Sequence, residues 1–286
     1  MTRPAYSLLQ LERPKQRFLP RAQVEKKKRS NHDKTLKRLA NAQKLFTKKA
    51  FWIDIAILDR MYYKLINSQR MFPRFRLMSQ ARQITKRLKI LAIDQVIAEF
   101  YQTFWNAKSM DKCNGEYKFI PTRQFAQYTM HCVTATAVLL DKLQASLMQT
   151  FCEYSKSLAK AHFVSMALTM MAICSRLCRI AHVWVTELEQ CYKLLYTLGK
   201  SLPLATSPDA QHQGDTVDFT CEPDTFQKAR QATMKSWSGH ESIPGISSDE
   251  MDKVMLQHVT HRTTDSNSSM NVDNEELDLG EVVERE

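Results

Sequence analysis

From Thr122 to Leu198 the chain runs 77 residues without a glycine or a proline. Residues 21–72 and 74–114 are equally free of both, over 52 and 41 residues. A sheet of short strands reverses roughly every 8–12 residues, and such reversals lean on Gly and Pro. Long helices need neither. The ordered part is therefore expected to be all-α. Apolar residues make up 43% of the 286, enough for one good core or two small ones.

Apolar spacing predicts a bundle of about four long helices over residues 33–200. The first runs from about Asp33 to Gln69. It has Leu39, Phe46, Ile53 and Ile57 on one side, and Lys34, Lys37, Lys44 and Lys48 opposite. Pro73 breaks it inside QRMFPRFRL, where Arg70, Arg74 and Arg76 surround Phe72 and Phe75. That mixture suits single-stranded RNA, with arginines on phosphate. The two rings are expected to plug a helix–helix corner. The second helix spans about Met78 to Asn106. Arg82, Lys86 and Lys89 share a stripe opposite Ile84, Leu88 and Leu91, and Ile93, Ile97, Phe100 and Phe104 continue the side that began basic. A polar connection, Lys108 to Glu116, surrounds Gly115. The third helix starts near Pro121 with a near-heptad seam of Phe125, Tyr128, Cys132, Ala135, Leu139, Leu143 and Leu147. Ser155 to Lys160 reads as a bend or short turn. The fourth, about Ala161 to Leu198, is apolar on nearly every side and is expected in the middle of the bundle. Gly199 suits its C-cap, with Pro203 beyond.

Charge is sorted along the chain. Residues 1–100 carry a net +17, residues 101–200 a net +5, and residues 201–286 a net −11. A basic body with an acidic end suits a polyanionic partner, most often nucleic acid. Residues 1–32 read as a basic flexible arm. Its cluster Lys26, Lys27, Lys28 and Arg29 fits a nuclear import signal, a phosphate-binding patch or a solvated end. Residues 201–286 read as an acidic, mostly disordered tail. Asp224–Trp237 and Asp249–His258 within it are expected to become short helices on contact with a partner.

Nothing points to catalysis. There is no Gly-rich phosphate loop, no H-E-x-x-H and no G-x-S-x-G. Carboxylates in the body are few, and Asp54 and Asp59 stand five apart, off a common helix face. They are expected to pair with nearby Arg or Lys. No enzyme activity, cofactor or small-molecule substrate is expected. Cys174, Cys178 and His182 share a helical stripe that in principle suits zinc, but no second ligand pair accompanies them. Packing is the preferred reading, and no metal site is expected. The seven cysteines are odd in number and follow no apolar leader, so reduced thiols in the cytosol or nucleus are expected. The most apolar run, Phe163 to Cys174, falls short of the ~20 residues of a bilayer span, and no membrane helix is expected. Arg176 and Arg179 interrupt that helix. They pair with Asp141, Glu153 or Glu187, or else open onto a groove and meet phosphate; the internal pair is the default.

Two segments, YKFIPTRQFAQY (117–128) and FVSMALTMMAICSRLCRIAHVWVTELEQCYKLLYTL (163–198), resemble the N-terminal domain of the nucleolus and neural progenitor protein family. The likeness covers about residues 33–200. That domain is itself similar to the RNA-binding protein subunit specific to ribonuclease MRP. The resemblance implies a protein of the nucleus and nucleolus tied to pre-ribosomal RNA processing, as a non-catalytic subunit. No defined functional residue transfers with it. Expected partners are structured RNA and other ribonucleoprotein subunits. Expected RNA contacts are Lys34, Lys37, Lys44, Lys48, Arg70, Arg74, Arg76, Arg82, Lys86 and Lys89, all held outward. The competing reading is a helical protein-interaction scaffold in a nuclear complex without RNA contact. Adhesion to anionic lipid ranks last, because the apolar faces are needed for a core.

Overall fold

The computed structural model describes Pro14 and residues 18–21, 32–107, 109–113, 115, 117–203 and 224–238, which fall within one compact unit. Lys26–Arg29 and Asp249–His258 lie outside the described residues.

The all-α expectation holds. Seven α-helices are described: α1 (Asp33–Phe46), α2 (Lys49–Gln69), α3 (Pro73–Leu91), α4 (Ile93–Gln102), α5 (Arg123–Ala159), α6 (Val164–Ser201) and α7 (Thr225–Ser238), with a short 3-10 turn at Met110–Lys112. Two three-residue strands, β1 (Phe18–Pro20) and β2 (Phe119–Pro121), pair antiparallel with Leu19 opposite Ile120.

The long hairpin of α5 and α6 organises the rest. Thr122 caps α5, its hydroxyl accepting from the Phe125 N–H at 3.3 Å. The hairpin closes at its open end where Arg123 N donates to Pro203 O at 2.9 Å. The middle of the bundle is α5, not α6 as the composition suggested. In α5, 24 of 37 residues are buried; in α6, 15 of 38. The reason is placement: α3, α4, α6 and α7 all pack on α5. Phe163, Val164, Leu168 and Val183 are consequently exposed. By length and composition α6 alone among the described helices is apolar enough to cross a membrane. Its packing stripe from Ala167 to Leu198 lies against the other helices. Gly199 sits inside α6, and Leu202 ends it in extended conformation.

Two expected helices are each two. The first breaks at Thr47–Lys48, where Lys48 is extended (φ −59°, ψ 124°) and the Thr47 hydroxyl donates to Gln43 O at 3.1 Å and Lys44 O at 3.0 Å. The break resets the helical phase. Leu39 and Phe46 are buried as expected, but α2 buries Phe51, Asp54, Ile55 and Leu58, leaving Ile53 and Ile57 at 54% and 38% exposure. The second starts earlier than expected, at Pro73, and turns at Ala92, which is left-handed (φ 41°, ψ 56°). That turn explains the side that began basic and continued apolar: Ile93, Ile97 and Phe100 belong to a helix of new direction, Phe104 follows it, and all four are buried.

The ordered fold also extends beyond residue 200. Within the expected tail, α7 lies on α5 of its own chain. Arg230 grips Asp141 with Nε to Oδ2 at 2.6 Å and Nη2 to Oδ1 at 2.9 Å, and Phe226 is buried beside Tyr192, ring centroids 5.2 Å apart.

Candidate nucleic-acid interface

Helices α2 and α3 form an antiparallel hairpin. Tyr62 stacks on Phe75 at 4.9 Å near one end, and Lys89 stands 6.0 Å over the Trp52 ring at the other. Between them Arg82 Nε donates to Asp59 Oδ1 at 2.8 Å. From Lys34 to Ile93 the chain has only two acids, Asp54 and Asp59. Asp54 is buried, with Arg176 Nε 2.9 Å from its Oδ2 but without hydrogen-bond alignment. Both carboxylates are thus answered by arginines of the fold. From Lys34 onward the exposed charged side chains of α1, α2 and α3 are all basic.

Eight of the ten expected RNA contacts are exposed: Lys34, Lys37, Lys44, Lys48, Arg70, Arg76, Lys86 and Lys89. None has an ion pair among the described residues. Two are not held outward. Arg74 is only 8% exposed, hydrogen-bonded to Gln69 and Ser157. Arg82 is spent on Asp59 and on the Tyr63 hydroxyl, with its guanidinium 4.5 Å from the Tyr62 ring centroid. Sequence reasoning missed Arg38, Lys49, Arg60, Lys64 and Arg87, which are also exposed on these helices. The signal was the same shortage of acids; only the phase of α2 after its break hid Arg60 and Lys64.

Two concavities meet where the α2–α3 corner faces the α5–α6 turn. One, of about 720 Å³, is lined by Arg70, Pro73, Phe75, Arg76 and Glu153 among others. The second, of about 430 Å³, is lined by Phe72, Arg74, Lys156, Lys160, His162 and Phe163 among others. Glu153, their shared acid, accepts from Lys156 Nζ at 2.8 Å. Phe75 is in the core as expected, whereas Phe72 is 43% exposed.

The arginines of α6 are both exposed. The carboxylate at Arg176 is Asp54, none of the three expected; Asp141 belongs to Arg230. Cys174 and Cys178 are fully buried, and the Cys178 thiol donates to Gln144 O at 3.8 Å. Burial pushes both thiols up, Cys178 to about 12. No three His, Cys, Asp or Glu gather as a metal site among the described residues.

The fold and its surface define a helical scaffold with a cationic outer face. The chain belongs to the nucleolus and neural progenitor protein family, whose N-terminal model matches residues 9–196. It is thus a member of a family named for the nucleolus. No curated protein and no solved structure matches it. The family match starts well before residue 33, so β1 and the Lys26–Arg29 cluster fall inside it, while α7 falls outside.

Proposed function

We propose that this protein is a non-catalytic RNA-binding scaffold of the nucleolus, acting in pre-ribosomal RNA processing as a subunit associated with ribonuclease MRP. The observation that carries the reading is the basic outer face of α1–α3 after Asp33, where the two remaining acids, Asp54 and Asp59, are each met by an arginine. Like charges along a helix repel, and a ribose-phosphate polymer relieves that repulsion while releasing its counterions. The basic face and the family's nucleolar name both support a structured RNA as partner. In such an enzyme the RNA does the chemistry, so a subunit without a catalytic constellation suits the role.

The test is RNA affinity against salt. A face engaging six or more phosphates loses about 10³-fold or more between 50 and 200 mM salt. Affinity that stays flat rejects the reading. The double variant Lys86→Glu/Lys89→Glu is expected to weaken binding across unrelated RNA sequences and to flatten the salt slope by about two contacts. Recovery of ribonuclease MRP RNA with the protein from nuclear extract tests the assembly.

One observation favours the protein-scaffold reading: α6 leaves Phe163, Val164, Leu168 and Val183 uncovered. A discrete hetero-complex that survives nuclease treatment, sized by light scattering, supports that alternative.

A further inference from the structure

Arg74 is a buried cation, only 8% exposed. Its Nε donates to Gln69 Oε1 at 3.0 Å, Nη2 donates to the same oxygen, and Nη1 donates to Ser157 Oγ at 2.6 Å. Both partners are neutral, and no carboxylate pairs with it among the described residues. Its guanidinium lies 4.3 Å from the Phe72 ring centroid. A charge held out of water calls for a counter-charge, and none comes from the described residues.

The same arginine lines the 430 Å³ concavity. That volume lies in the range of about 300–1,000 Å³ in which proteins hold small organic ligands. Exposed Lys160 and His162 stand on its wall, and the one acid there, Glu153, is already engaged by Lys156. Two rings complete it, Phe72 and Phe163, the latter 58% exposed. Phe163 is held in left-handed backbone at φ 52°, ψ 46°, and Ala161 shares that region at φ 54°. Such strain in residues with a β-carbon clusters at functional positions. Here it accompanies an aromatic ring left in solvent at a cationic pocket.

We propose that this pocket binds one unpaired nucleotide of RNA, its base against Phe163 and Phe72 and its phosphate toward Arg74 and Lys160. The inference rests on the RNA-binding reading above and deepens it. Stacking on aromatics accepts any base, and cations on the same site take the backbone. A paired base has its faces covered by its neighbours, so duplex RNA has access only to the outer faces of α1–α3.

The decisive variant is Phe163→Gly in the full chain, because glycine adopts this backbone freely while removing the ring. Its melting temperature is expected to equal or exceed that of the wild type. Anisotropy with a 12-nucleotide single strand is expected to show affinity reduced about tenfold, the scale of one base–aromatic stack. A matched duplex, and a single strand made wholly of abasic sugars, are expected to bind variant and wild type alike. Equal single-strand affinity in variant and wild type overturns the pocket, as does an equal loss on the abasic strand. Wild-type protein that binds no RNA at low salt brings down the surface reading as well. Normal salt-dependent binding with an indifferent Phe163→Gly brings down the pocket alone. Lys160→Ala provides a second reading at an exposed position, with a loss expected on natural single strands and overturn if there is none.

Discussion

Ala92 holds the α3–α4 corner at φ 41°, ψ 56°, where a β-carbon costs about 1–2 kcal/mol. Glycine removes that strain but loses more entropy on folding, about 0.5–1 kcal/mol. Ala92→Gly is therefore expected to raise the melting temperature by about 1–4 °C, measured by calorimetry. At Cys178 burial raises the thiol to about 12. A folded value above the unfolded one of about 8.5 means full stabilisation below pH 8.5, lost as pH rises through about 12. The denaturant midpoint is expected to fall from about pH 9 upward, less so in Cys178→Ala, and native Cys174 and Cys178 are expected to resist alkylation at pH 8. At this scale the sequence was readable where charge had no rival. Lys86 and Lys89 are exposed as expected, with no ion pair among the described residues. Arg74 was not legible: its partner Ser157 stands 83 residues away, and helical spacing says nothing about distant acceptors.

The elements were legible where proline punctuates them and hidden where it does not. Pro73 ended the first pair of helices as expected, although α3 begins there and not at Met78, and Pro121 stands just before the Thr122 cap of α5. Thr47–Lys48 and Ala92 carry no Gly or Pro, and two breaks passed unseen. Apolar periodicity likewise ranks how greasy a helix is without naming its neighbours, so α6 was placed centrally when α5 is. Helix α7 was legible as a segment ready to fold on contact; the contact is its own α5. Burial raises the Asp141 carboxyl, and Arg230 pulls it back. Asp141→Asn is expected to loosen α7 by about 1.5–3 kcal/mol, the worth of hydrogen bonds to a charge. Faster hydrogen exchange across residues 225–238, with α5 still protected, is the measurement.

For the molecule as a whole, composition announced both the helical class and the asymmetry of charge, but not the boundary between fold and tail. Residues 239–286 carry a net −9. Truncation after Ser238 is expected to keep the melting temperature, and to tighten RNA binding if the acidic end competes with RNA for the basic helices. Truncation after Leu202 is expected to lower the melting temperature, because it strips Phe226 and Arg230 from α5. The start of the chain has its own geometry. Arg21 N donates to Lys118 O at 2.8 Å, its guanidinium rests 4.5 Å from the Tyr117 ring centroid, and the His32 ring stands 6.3 Å from that same ring. Arg21 and His32, which bracket Lys26–Arg29 in the sequence, thus rest on a single tyrosine. Two anchor points far apart along the backbone therefore share one ring, and Tyr117→Ala would loosen both moorings at once.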